Sequence, residues 1–119
     1  MKDYRKLKVW EKAHHFVLSL YEVTRSFPSD EKFGLTSQLR RAAVSIPSNI
    51  AEGCGRGNDG DLRRFCEISM GSATEVEYQL LLSFDLKLIN QASFERLNDE
   101  LIEVKRMLHG FVTTLRKSS

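Results

Sequence analysis

Five arginines gather around one hairpin of the sequence: Arg40 and Arg41, then Arg56, then Arg63 and Arg64. Arg rather than Lys at all five positions matters chemically, because the planar guanidinium fork suits phosphate and carboxylate equally. Two readings stand side by side. One is contact with an RNA or DNA backbone. The other is ion pairing, within or between subunits, with Glu52, Asp59, Asp61, Glu67, Glu75 and Glu77. Phe65 and Tyr78 are the nearby aromatics, and both fall at core-like spacing, so base stacking is not implied. Antiparallel folding of the hairpin sets Arg56, Arg63 and Arg64 towards its loop. Arg40 and Arg41 then lie several turns away, at about 1.5 Å per residue.

A second pattern runs through the same stretch. Gln38, Arg41, Ser45, Asn49 and Glu52 recur at three- and four-residue steps and so share one side of a helix. The stripe is too regular, and too poor in Lys and Glu, for a casual solvated face. It reads as a surface that meets something. Phe33, Leu35, Leu39, Ala42, Ala43, Ile46 and Ile50 form an apolar stripe on another side and call for a core.

Other candidate chemistry is weaker. Gly55 to Gly60 spells G-x-G-x-x-G, but a dinucleotide site needs that string after a strand within a βαβ unit, and here a helical pattern precedes it. A flexible turn is the simpler reading. Glu11-x-x-His14 has the spacing of half a di-iron carboxylate site, yet the second half is absent, since Arg106 stands three positions before His109. His14 and His15 are adjacent and point about 100° apart on a helix, so they do not share one metal. Cys54 and Cys66 form no CxxC pair, and no His lies beside either in sequence. No catalytic residue, metal site or cofactor is expected.

The chain has 119 residues, 41% of them hydrophobic and 29% charged, the range of a soluble globular protein able to build one core without staples. The expectation is one domain over residues 1–119. Net charge is only +2, from 18 basic and 16 acidic residues, modest for a protein binding nucleic acid by charge alone. Both ends are basic: Lys2, Arg5, Lys6 and Lys8 at one, Arg116 and Lys117 at the other. Such ends are solubilising tails or arms that touch phosphate. Glu11 and Lys12 interrupt any apolar run after the basic start, so no secretory signal is read, and no run is long enough to span a membrane. With reduced thiols, a cytoplasmic protein is expected.

Four helical patterns must position these groups. The first covers about Val9 to Ser26 and is stopped by Phe27-Pro28-Ser29-Asp30. The second, capped by Ser29 or Asp30, runs to about Glu52, with Gly53 as a left-handed terminator. Pro47 falls inside it. A continuous helix bent at Pro47 is preferred to a break, because both stripes keep phase across the proline. The third is capped by Asp59 or Asp61 and extends to about Lys87, its inner face Leu62, Phe65, Cys66, Ser69, Ala73, Val76 and Leu80. The fourth is capped by Ser93 and carries Phe94, Leu97, Leu101, Val104, Leu108, Phe111 or Val112, and Leu115. Short connections make the fold all-α, an antiparallel up-down four-helix bundle.

The chain also resembles a known family. Leu7-x-Val9-Trp10-Glu11-Lys12-Ala13, the long run from Phe27-Pro28 through Phe33-Gly34-Leu35-Thr36-x-Gln38-Leu39-Arg40-Arg41-Ala42-Ala43, and Ser45-Ile46-Pro47-x-Asn49-Ile50-Ala51-Glu52-Gly53 look like the 23S rRNA intervening-sequence proteins, also labelled S23 ribosomal proteins. Gly71-Ser72-x-x-Glu75 matches a further element, while Met70 departs from a position often basic in relatives. The resemblance implies a bundle that assembles into a homopentamer, with related retroelement accessory proteins binding nucleic acid and a protein partner, a reverse transcriptase. In a ring, Gln38, Arg41, Ser45, Asn49 and Glu52 would hydrogen-bond across subunits; equally, they would brace the bend within one bundle. For this branch the resemblance assigns no biochemical role.

Overall fold

The computed structural model describes residues 2–118. Asp3 accepts the Arg5 amide at 3.1 Å, closing a single 3-10 turn over Tyr4–Lys6. Helix α1, Lys8–Thr24, then buries Val9, Ala13, Phe16, Val17 and Leu20 on one side. Phe27, also buried, ends the connection at Pro28, whose extended backbone forbids further helix.

Helix α2 covers Leu35–Gly55, and its start differs from expectation. Ser29 to Glu31 form a separate 3-10 turn, and neither Ser29 nor Asp30 caps α2. Glu31 reaches across instead, its Oε1 accepting the Leu35 amide at 3.2 Å. Gly34, at φ −106° and ψ −114°, turns the chain out of helical phase. Phe33 therefore lies before the helix, and the spacing that assigned it to the core counts across a break. It is 90% exposed.

The helix runs unbroken through Pro47. Proline withdraws the ladder donor owed to the Ala43 carbonyl. Next to it, Ser69 Oγ of the following helix donates to the Ile46 carbonyl at 2.8 Å, a buried bond between helices. Gly53 is not the terminator. It is helical and buried, and a Cβ there would meet Phe65 Cβ at 2.9 Å, so glycine serves close helix approach. The positive φ belongs to Gly57, at +90°.

Helix α3, Asp59–Asp85, is capped by Asn58, one residue before the two expected aspartates; its Oδ1 accepts the Asp61 amide at 2.8 Å. Its expected inner face is buried throughout. Lys87, at φ 64°, makes the turn into α4, Gln91–Ser118. Asn90, rather than Ser93, caps that helix by accepting the Ser93 amide at 2.8 Å. Phe84 and Phe94 stack across the turn with ring centres 4.6 Å apart.

Each helix packs on two neighbours: α1 on α2 and α4, α2 on α3, and α3 on α4. The result is an antiparallel up-down four-helix bundle of 45 × 23 × 20 Å around one continuous core. Among the described residues there is no strand, and no helix is long and apolar enough to cross a membrane.

Candidate interaction face and arginine-rich hairpin end

The polar stripe divides. At its centre, Ser45 and Ser72 hydroxyls lie 2.8 Å apart, joining α2 to α3. Asn49 Nδ2 donates back to the Ser45 carbonyl at 2.8 Å and to its hydroxyl at 2.9 Å. This network brackets Pro47 from the α3 side and is wholly intrachain. Gln38, Arg41 and Glu52 flank it and face outward. Among the described residues Arg41 reaches only Ser37 Oγ, at 3.3 Å, and Glu52 pairs with Arg56 at 3.6 Å.

The face around this stripe is a shallow groove between α2 and α3 of about 480 Å³, lined by Phe33, Gln38, Arg41, Ser45, Ser72 and Glu75 among others. On α3 the same side continues through Ile68, Gly71, Glu75 and Tyr78, one helical stripe at three- and four-residue steps. Ile68 is 46% exposed and Tyr78 62% exposed. Tyr78 therefore departs from its core-like spacing: at about 100° per residue it points away from the buried row of Val76, Leu80 and Ser83. Apolar groups standing beside hydrogen-bonding ones are what an interface core requires.

The arginines separate into two kinds. Arg40 is half-buried and committed to α1, where Nε donates to Thr24 Oγ1 at 2.9 Å and Nη2 to the Tyr21 carbonyl at 3.2 Å. Its guanidinium also lies 4.4 Å from the centre of the Tyr21 ring. Arg56 and Arg64 converge on Phe65, 5.0 and 5.2 Å from its centre, at the tip of the α2–α3 hairpin. Their acidic partners are exposed and loosely held, Arg64 to Asp61 at 4.0 Å. Pairs of that kind contribute about 0–1 kcal/mol and yield readily to a stronger anion. Arg63 is half-buried, with Nε sealed from water and without a hydrogen-bond partner among the described residues. Arg41 lies apart from this group, along the groove.

Topology adds cations that sequence spacing does not place there. The N-terminal 3-10 turn, carrying Arg5 and Lys6, packs on α2. The far end of α4 reaches the same region of α3, where Arg116 Nη2 donates to Glu67 at 2.8 Å. The basic termini and the hairpin arginines therefore share one end of the bundle. The signal lay in the two charged ends of the chain together with the up-down order of helices.

The remaining candidates hold no comparable arrangement. His14 is exposed and stacks on Trp10 at 4.9 Å. Among the described residues no three His, Cys, Asp or Glu side chains gather as metal ligands. Both cysteines are free and buried. Burial raises the Cys54 thiol and pushes Cys66 up to about 12, away from thiolate reactivity at neutral pH.

Residues 5–110 match the family described as 23S rRNA-intervening sequence protein. Among curated proteins there is no match. The fold is similar to the crystal structure of a protein with unknown function from the S23 ribosomal protein family of Bacteroides thetaiotaomicron. The TM-score is 0.81 at 24% identity, over 88% of this chain and 95% of that one. At that identity the likeness concerns fold. The sequence match extends from the N-terminal turn into the last third of α4, and on that span the chain belongs to the 23S rRNA-intervening sequence protein family.

Proposed function

We propose that this protein is a non-enzymatic homo-oligomeric bundle that joins copies of itself through the outer α2–α3 face and presents its basic end to RNA or a ribonucleoprotein. The observation that carries assembly is the pairing on one face of exposed Ile68 and Tyr78 with the outward Gln38 and Arg41. A lone protomer gains nothing from placing two large apolar side chains in water beside a formed groove. Five subunits follow from the family resemblance, with each α2–α3 face meeting a different surface of the next copy so that rotation closes a ring. Tyr78→Asp tests this, because a charge buried at the joint reduces the sedimenting mass towards that of one chain. An unchanged mass would remove the face from the joint.

The basic end supports the RNA contact, since Arg56, Arg63 and Arg64 meet both basic termini there. Phosphate contacts require affinity that falls steeply with salt. Arg63→Ala with Arg64→Ala weakens RNA retention uniformly across sequences under this reading, and unchanged retention would exclude both from the footprint. The Glu52–Arg56 and Asp61–Arg64 pairs favour the alternative, a protein-only scaffold. On that reading RNA retention is absent at any salt concentration while the oligomer persists.

A further inference from the structure

A second groove runs along the other flank of α2, between its first turns and α1. It encloses about 500 Å³ and is lined by Tyr21, Lys32, Arg40, Arg41 and Val44 among others, with no carboxylate. Phe33, Ser37 and Arg41 stand on the ridge between the two grooves and line both, so the grooves lie at one level along α2. On α1, Tyr21 continues a stripe of Trp10, His14 and Leu18 at three- and four-residue steps. His14 stacks on Trp10, and Leu18 is 53% exposed. This flank therefore combines exposed apolar surface with cations. Among the described residues Lys32 enters no ion pair, whereas Arg40 is spent within its own chain on Thr24 and Tyr21.

Helix α3 has the opposite character. From Phe65 to Asp85 it carries Glu67, Glu75, Glu77 and Asp85 and no Lys or Arg. Glu67 and Glu77 are answered by Arg116 and Lys105 of α4. Glu75, on the α2–α3 face, is exposed, and among the described residues its carboxylate accepts only from Gln79 Nε2, at 3.0 Å. That face thus sets an unanswered carboxylate beside exposed Tyr78 and Ile68, the complement of the second groove.

A closed ring imposes two conditions on such a joint. Rotation about one axis adds no shift along it, so the two halves must stand at the same level. They must also lie on neighbouring sides of the bundle. Opposite sides build a straight row, whereas neighbouring sides, at about a right angle, close after about four or five copies. The α1–α2 groove meets both conditions, since it adjoins the α2–α3 face across α2. The α1–α4 side lies opposite and is lined by Glu11, Asp99, Glu100 and Glu103, which would meet Glu75 with like charge. On the α3–α4 side the carboxylates Glu67 and Glu77 are already paired.

We propose that the α1–α2 groove of one copy receives the α2–α3 face of the next. Tyr78 packs against Leu18 and Val44, and Glu75 meets Lys32. This rests on the assembly reading above and names the surface which that reading leaves open.

The test is sedimentation of the full chain, of Tyr78→Asp, of Leu18→Asp, and of the two variants mixed in equal amounts at high concentration. Leu18 is exposed, so its replacement leaves helical circular dichroism intact while it blocks the groove. Each variant alone sediments as one chain. The mixture doubles that mass and goes no further, because an intact groove on one variant meets an intact face on the other, and every other joint is broken. Lys32→Glu is the second variant. It sets carboxylate against carboxylate, so the assembly dissociates at low salt and recovers as salt screens the repulsion.

Tyr78→Asp reduced to one chain while Leu18→Asp and Lys32→Glu both keep the parent mass overturns the groove and spares the α2–α3 face. A mixture that remains at the mass of one chain likewise overturns the pairing of these two surfaces. An unchanged mass in Tyr78→Asp overturns both readings together.

Discussion

Replacing Gly53 by Ala tests the packing of α2 on α3 with one methyl group. That Cβ would stand 2.9 Å from Phe65 Cβ, 3.0 Å from Leu62 Cδ1 and 3.2 Å from Leu62 Cα. Carbon atoms pack best at about 3.5–4.0 Å, so the helices must part by roughly half an ångström. Two of the three atoms lie on or next to the α3 backbone and do not rotate away. Overpacking of this kind costs about 1–3 kcal/mol, against about 0.5–1 kcal/mol returned by replacing a helical glycine. The net loss is about 1–2 kcal/mol, which for a chain of this size lowers the melting temperature by about 4–10 °C.

Gly110→Ala is the matched control. It is exposed within α4, with nothing within 4 Å of the added carbon, so the same substitution stabilises by about 0.5–1 kcal/mol. Thermal unfolding followed by circular dichroism reads both. Gly53→Ala melting at or above the parent temperature would refute the close α2–α3 approach.

Arg40→Ala removes both bonds to α1 and the contact with Tyr21, and a urea titration should show a loss of about 1–3 kcal/mol with unchanged slope. Asn58→Ala and Asn90→Ala each delete a helix cap and should cost about 1 kcal/mol. The Cys66 thiol, raised by burial from 9.0 to about 12, binds its proton more tightly folded than unfolded. Stability contributed by that difference is fully present below pH 9.0 and falls as pH rises towards 12. Cys66→Ala should flatten the fall measured in alkaline urea titrations.

Helix identity and the buried rows were legible because a 3.6-residue period repeats over many turns: Leu62, Cys66, Ala73, Val76 and Leu80 are all buried as their spacing requires. The ends were less legible. Phe33 counted as core only by extending α2 past Gly34, where the backbone leaves helical phase. Gly53 looked like a terminator because sequence does not distinguish a glycine needed for positive φ from one needed for close approach. Asn58 and Asn90 were overlooked beside equally plausible Asp and Ser caps.

The stripe on α2 was visible, but its division was not. Ser45 meeting Ser72, and Arg40 meeting Thr24, depend on which helices adjoin and at what height, and periodicity within one helix carries neither. The buried Thr36 hydroxyl, without a hydrogen-bond partner among the described residues, had no signal at all, since such a group exists only once its surroundings are placed.

Sedimentation equilibrium of the purified chain bears most directly on the reading that the outer α2–α3 face joins copies of this protein. The account predicts a mass several times the 13.7 kDa of one chain, collapsing to a single chain in Tyr78→Asp. A parent protein that sediments at 13.7 kDa across micromolar concentrations would contradict it.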